Sequence, residues 1–483
     1  MYNPIFKLYT ILFGVINLTI DELLKKAKRI HFMGIGGSGM CPLAEILIAN
    51  GYTLTGSDNN PGDNIDKLRG LGAEIIMSQT ADNIEKFKPD MIVYTAALLP
   101  TNPELIAAKE SGIPVFERAE LFGAITRLFD NCIGVCGTHG KTTTTSLLSH
   151  ILLKAGTDPT LVIGGRLPLI DSHGRSGKTQ TMVCEACEFK DTFLDLSPDT
   201  AIILNIDNDH MEYFGTIENS IRSFTKFADK TTKLIVYNGD DANTVKCIEN
   251  MTEKEGKKFL TFGFDGKNDY SADNITYNRG AFPEYDIIFR NEKIGHAVLG
   301  IPGKHNVLNS LSAIAVAIEN GIKIEQIEEI LPTFKGAGRR FEVLGEFDGI
   351  TVADDYAHHP TELKATLEAV MKMGYNEVWA VFQPFTYSRT KMHMDAFAEA
   401  LRIPNHAVMT EIMGSREVNT DGVYTSQLAE KIPGSVWFNT FEEVVDYVTE
   451  HAKSGDLIIT LGCGDIYKAA KMMKKVYEEE SKK

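Results

Sequence analysis

Ile133-Gly134-Val135-Cys136-Gly137-Thr138-His139-Gly140-Lys141-Thr142-Thr143 is an apolar run that enters a glycine-rich loop. Beyond it, Leu147, Leu148 and Ile151 recur at helical spacing, so the segment reads as strand, tight loop and helix. Such a loop turns several backbone N–H groups toward one point, and the helix N-terminus adds partial positive charge. A polyphosphate fits there. Lys141 reaches its outer phosphates and the Thr142 hydroxyl turns to Mg2+. The strict pattern has glycine five residues before Gly140, where this chain has Val135; Gly134 and Gly137 supply the flexibility instead. A glycine turn that merely feeds a helix is the plainer alternative. Gly140-Lys141-Thr142-Thr143 argues against it by adding the side chains that phosphate and metal need.

Working outward, the 483 residues allow roughly two to four domains. The net charge of −16 argues against nucleic acid as a bulk partner. Seven cysteines with no disulfide-like framework point to a reducing cytoplasm. Cys184 and Cys187 have a redox spacing, but side chains three apart on a strand point to opposite faces, so the spacing reads as coincidence. Residues 1–22 form an amino-terminal extension, mostly apolar, with Lys7 the only charge before Asp21. It lacks a basic leader and a small-residue cleavage site, and Pro4, Gly14 and Asn17 interrupt it. Stable membrane insertion is not expected.

A first domain is expected over 23–130. Its strand Arg29 to Met33 runs into Gly34-Ile35-Gly36-Gly37-Ser38-Gly39-Met40 and then a helical pattern. This is the G-x-G-x-x-G fingerprint in strand–turn–helix context, with Ser57-Asp58 ending the next strand where an acidic residue meets a ribose. The fingerprint by itself fits NAD and a UDP-sugar equally, since fold does not fix ligand.

The central domain, 131–335, alternates strands and helices around the phosphate loop, which implies a mostly parallel sheet. Glu185 and the run Asn205 to His210 follow strand ends, where such sheets bind ligands. Mg2+ prefers oxygen, so Glu185 is the stronger ligand candidate, with Glu188 next; His210 is either a metal partner or a structural histidine. Asn306 sits where a helix N-cap belongs. In the third domain, 336–483, three polar clusters each follow an apolar strand. They begin at Asp354-Asp355, at Gln383 and at Gly462, and can converge on one sheet edge. The fold class is thus α/β, with three doubly wound domains.

Taken together, Gly137 to Thr143, Glu185, Asn205 to His210, His305-Asn306, Arg339-Arg340-Phe341 and Asp354-Asp355-Tyr356 resemble the Mur ligases, the ATP-dependent amide-forming enzymes of peptidoglycan synthesis. The resemblance extends from about Ile30 to the final helix. His31 to Met40, Asp354 to Glu362 and Phe382 to Thr390 resemble the branch that joins L-alanine to UDP-N-acetylmuramate. It implies a first domain that binds the UDP-sugar rather than NAD, through Gly34, Gly36, Gly37, Ser38, Gly39, Met40, Ser57 and Asp58. The central domain would bind ATP and Mg2+, and the third would receive alanine. ATP would convert the muramoyl carboxylate to an acyl phosphate, which the amino group of alanine attacks.

The resemblance also implies residue roles. Gly137, Thr138, His139, Gly140, Lys141, Thr142 and Thr143 would wrap the phosphates, and Lys141 would neutralise the transferring group. Thr142 and Glu185 would hold Mg2+, with His210 at or near a second metal. His305, Asn306 and Asn309 would touch the nucleotide, as would Arg340 and Asp355 from the third domain. His359 and Arg389 would surround the amino acid and carboxylate. Many members read Ala-Asp-Glu-Ser-Asp after the metal-bearing glutamate; here Ala186-Cys187-Glu188-Phe189-Lys190 stands in its place. Phe385-Thr386 stands where many have His-Arg or His-Thr. A ligase that takes a preformed tripeptide and a non-catalytic UDP-sugar sensor are the rival readings.

Overall fold

The computed structural model describes residues 19–415 and 417–480. Most of the amino-terminal extension, residues 1–18, lies outside the described residues. The first described helix, Ile20–Lys26, is opened by a capping box in which Thr19 and Glu22 satisfy each other's N–H groups.

Among the described residues, contacts divide the chain into two compact units, one up to residue 262 with 315–320, the other 263–314 with the residues from 321 onward. The first unit holds two sheets. Five parallel strands run in the order Glu74–Ile76, Thr53–Ser57, Arg29–Met33, Met91–Tyr94 and Val115–Glu117. The strand order reverses at Arg29–Met33, so the carboxyl end of that strand is a switch point, and the loop Gly34 to Gly39 emerges there. In the second sheet the central strand Asn131–Cys136 lies between Thr200–Ile203 and Thr181–Glu185, both parallel to it. The phosphate loop therefore leaves the middle of a sheet, flanked by the segments that carry Glu185 and Asn205. Both neighbours are buried apolar strands, as a two-face-covered parallel sheet requires.

One apolar core runs through both sheets of this unit, from Leu24 and Phe32 to Phe193 and Phe227. The helix Arg118–Thr126 belongs to it, and Gly123 brings that helix against the backbone of Asp195, where a Cβ would collide.

The second unit holds an antiparallel meander, Tyr270–Asn278, Phe282–Phe289 and Glu292–Val298, which the sequence reading did not contain. Its third-domain sheet runs Glu342–Phe347, Ile350–Asp355, Leu457–Leu461, Val378–Phe382, His406–Thr410 and Val436–Phe438. Only the first pair is antiparallel. The strands that precede Tyr356, Gly462 and Gln383 are neighbours, so the three polar clusters leave the sheet side by side at one edge. Apolar clusters cover both faces. Among the described residues no helix is long and apolar enough to cross a membrane.

Candidate active site

Gly137 has φ +140°, and a Cβ there would stand 2.8 Å from that of Leu204, so the loop can leave its strand only at glycine. Asn205 then clamps the loop. Its Oδ1 accepts the His139 N–H at 2.8 Å, its Nδ2 donates to the His139 carbonyl at 3.0 Å, and its own carbonyl accepts the Thr138 N–H. The Thr138 hydroxyl accepts the Asp207 N–H at 2.9 Å. Thr138 and His139 thus spend their amides on holding the loop's shape. Gly140, at φ +86°, opens the helix Lys141–Lys154, whose first-turn N–H groups point back toward the N-terminal end, where the loop lies.

Lys141 Nζ donates to the carbonyls of Gly137, at 2.6 Å, and Thr138, at 3.0 Å, and lies 3.0 Å from both Glu188 oxygens. Burial favours the neutral amine, but the carboxylates of Glu188 and Glu185 outweigh it and hold the ammonium above its ordinary range. Glu188 is itself buried. By sequence, Glu188 stands behind Glu185 as a metal-ligand candidate, and its flank carries no clear element. The flank is a 3-10 helix, Phe189–Asp195, with Lys190 and Asp191 in left-handed backbone conformations. That fold turns Glu188 inward to the lysine.

The Thr142 hydroxyl donates to Glu185 Oε2 at 2.8 Å, and the Gly164 N–H donates to the same oxygen at 3.0 Å. A side chain at Gly164 would occupy the position of the Glu185 carboxylate. An octahedral Mg2+ with oxygens at about 2.0–2.1 Å sets neighbouring ligands about 2.9 Å apart. The Thr142–Glu185 pair has that spacing, so the two oxygens fit adjacent positions on one ion. His210 is in contact with Asp209, Glu212 and the Phe189 ring, 4.6 Å away, on a backbone with φ 53°.

In the first domain the glycine loop is partly self-satisfied. Gly34 and Ile35 donate to the Ser57 carbonyl, Gly37 to Gly34, and Met40 to Gly37. Asp58, expected at a ribose, accepts the Gly36 N–H at 2.9 Å and the Asn60 N–H at 3.0 Å. Ser57, expected at the ligand, turns its hydroxyl inward to Glu104 at 2.5 Å. Met40 is buried in the core. Ser38 and Gly39 are the loop residues that line a cavity of about 120 Å³, together with Arg118, Phe122, Gly164, Glu185 and Cys187. This one cavity therefore joins the glycine loop to the metal-side carboxylate. Burial pushes the Cys187 thiol up to about 11, so a neutral thiol lines the wall.

The second unit carries the remaining candidates. The helix there starts at His305, which places Asn306 inside the first turn and corrects its N-cap reading. Its Nδ2 donates to the Pro302 carbonyl at 2.6 Å, and its Oδ1 accepts from Asn309 at 2.9 Å. His305 is exposed. Asp355 is buried and accepts the N–H groups of Phe341, at 2.7 Å, and Ala357, at 2.8 Å. The Arg340 guanidinium lies over the Tyr356 ring, and Arg339 binds Asp354 at 2.9 Å. His359 caps the helix Pro360–Val370, 4.9 Å from His393. Arg389 lies in a short helix capped by Thr386, which has φ 63°. The edge cluster thus brings Asp355, Arg340, His359 and Arg389 to the same end of one sheet.

Comparison with known proteins gives a consistent result. The Mur ligase family catalytic domain matches residues 29–130, the Mur ligase middle domain 135–317 and the Mur ligase glutamate ligase domain 339–464. The chain is 41% identical over 466 residues to the UDP-N-acetylmuramate–L-alanine ligase of Caldanaerobacter subterraneus subsp. tengcongensis, covering 95% of this chain and 99% of that protein. It is 42% identical over 447 residues to the enzyme of the same name from Lachnospira eligens, covering 91% and 96%. Among solved structures, UDP-N-acetylmuramate-alanine ligase from Thermotoga maritima superposes with TM-score 0.80 at 27% identity, over 94% of this chain and 99% of that one. A murein peptide ligase from Psychrobacter arcticus shares the fold, with TM-score 0.72 at 24% identity over 93% and 98%. The chain belongs to the Mur ligase family.

Proposed function

We infer that the protein is a UDP-N-acetylmuramate–L-alanine ligase of peptidoglycan synthesis. The observation that carries this is near-full-length identity of about 40% to enzymes of that name; at the phosphate loop Lys141 is bonded to Glu188 and Thr142 to Glu185.

A carboxylate is a poor acyl donor, so the reaction needs ATP. An oxygen of the muramoyl carboxylate attacks the γ-phosphorus and ADP leaves; the alanine nitrogen then attacks the acyl carbon and phosphate leaves, with the nitrogen losing its extra protons. Lys141 neutralises charge on the transferring phosphoryl group. Thr142 and Glu185 are the residues that would hold Mg2+, with His210 proposed near a second ion. When bound there, the ion would supply charge neutralisation at the phosphates. Ser38 and Gly39 point the sugar nucleotide into the cavity that ends at Glu185. His305, Asn306, Asn309, Arg340 and Asp355 are proposed nucleotide contacts. His359 and Arg389 are proposed to surround alanine and the carboxylate. All seven cysteines are free thiols, in keeping with a reducing cytoplasm.

The test is phosphate release with ATP, UDP-N-acetylmuramate and each amino acid in turn. Turnover with L-alanine is expected. Turnover with a tripeptide alone would favour the recycling ligase, and absence of ADP release would favour the sensor.

A further inference from the structure

Arg118 opens the helix Arg118–Thr126 and is half-buried. Among the described residues it has no hydrogen-bond or ion-pair partner. Its guanidinium lies 5.9 Å from the centre of the Phe122 ring. Beside Gly39, its Nη1 stands 3.5 Å from where a Cβ would be. Arg118 and Gly39 line the same cavity, which continues to Glu185 and Cys187. Burial pulls the Arg118 guanidinium below the ordinary arginine range; the charges of Glu117 and Asp195 act on it from nearby without outweighing burial, and neither forms an ion pair with it.

The glycine loop supplies a second, independent observation. The N–H groups of Gly34, Ile35, Gly36, Gly37 and Met40 all have acceptors within the protein. Those of Ser38 and Gly39 have none among the described residues, and these are the loop residues that line the cavity. Two amides without acceptors and a guanidinium without a hydrogen-bond acceptor therefore line one cavity. Helix packing fixes the arrangement, because Gly123 holds the helix against the Asp195 backbone.

We propose that Arg118, with the Ser38 and Gly39 amides, is the counter-charge that grips an anionic oxygen of the sugar nucleotide in this cavity. The inference rests on the ligase reading above. The oxygen belongs either to the diphosphate, which lies against the glycine loop, or to the carboxylate that is to be activated, which must approach Glu185. Both are chelating acidic groups that a planar guanidinium binds in bidentate fashion.

The experiment is calorimetric titration of UDP-N-acetylmuramate, and separately of UDP, into the wild-type protein, Arg118→Lys and Arg118→Ala. Melting temperature is recorded for each. Loss of one partner of a desolvated charge pair is expected to weaken binding about thirtyfold or more in Arg118→Ala. Arg118→Lys recovers part of it, because the charge remains and the fork is lost. Equal weakening for both ligands assigns the diphosphate; weakening for UDP-N-acetylmuramate alone assigns the carboxylate. Either supports the proposal. Wild-type affinity for both ligands in Arg118→Ala overturns it, as does a fall in melting temperature with affinity intact. Failure of the wild-type protein to bind UDP-N-acetylmuramate would instead overturn the ligase reading.

Discussion

Lys141 and Glu188 form a buried ion pair, with Nζ 3.0 Å from each carboxylate oxygen. The lysine proposed to serve the phosphates is thus held by a buried carboxylate. A phosphate arriving at the loop competes with Glu188 for the ammonium. The pair keeps the lysine charged and aimed into the loop when no nucleotide is bound.

Removing the lysine should have two separable effects. Lys141→Ala takes away a charge directed at the transition state, at a cost of about a hundredfold or more in turnover. It also strands the Glu188 carboxylate in the interior, which costs about 3–5 kcal/mol of stability. Adding Glu188→Gln should restore most of the melting temperature and none of the turnover. Turnover within a few-fold of wild type in Lys141→Ala would count against the phosphate role, and no thermal rescue would count against the pair.

The Thr142–Glu185 contact predicts a metal phenotype. Thr142→Ser keeps the hydroxyl, and should keep the wild-type Mg2+ requirement. Thr142→Val removes the oxygen while retaining shape, and should raise the Mg2+ concentration needed for half-maximal phosphate release by about tenfold or more. Glu185→Gln should do the same. An unchanged Mg2+ titration in both variants would remove these residues from the metal site.

Ser57 was legible as a strand end but not as a buried one. Its hydroxyl, with Asn83 Nδ2 at 2.9 Å and His31 Nε2 at 2.9 Å, serves the wholly buried Glu104. Ser57→Ala should therefore lower stability by about 1–3 kcal/mol, the cost of leaving a buried acceptor short of a partner. UDP affinity should stay within a few-fold of wild type. Chemical denaturation and UDP titration of the same variant check both, and a large loss of affinity with normal stability would return Ser57 to the ligand.

That residue also shows where sequence reading stops. The strands Arg29–Met33, Thr181–Glu185, Val378–Phe382 and Leu457–Leu461 were readable because continuous apolar runs end in glycine or polar residues. The loops after them were readable because phosphate and metal need particular side chains. Which carboxylate faces a ligand and which faces a loop amide was not readable. Asp58 and Gly36 are 22 residues apart, and Lys141 and Glu188 are 47 apart. Only the fold brings them together. The antiparallel meander from Tyr270 to Val298 is not legible in the sequence because its strands do not alternate cleanly between buried and exposed residues. Asn205 was part of the motif, yet nothing in its spacing reveals that both ends of its amide bind His139.

Asp355 makes a pH-dependent prediction. Burial pushes its carboxyl up to about 6, against the pull of Arg340 and of the Ala357 and Phe341 N–H groups. In the unfolded chain the same group titrates near 3.9. Between those values the folded state keeps a proton that the unfolded state has released. Folding stability from this group is therefore greatest below about pH 4 and is lost as pH rises toward 6, by about 1.4 kcal/mol for each unit of separation. Asp355→Asn carries no titrating proton. It does give up one of the two N–H acceptors, but that loss is constant with pH and drops out of the slope. The stability of the wild-type protein relative to Asp355→Asn should thus fall between pH 4 and 6.5 and level off above. Denaturant midpoints of both proteins across that range measure it. A difference that is flat, or that grows with pH, would mean that Arg340 and the two N–H groups outweigh burial and that Asp355 is ionised throughout.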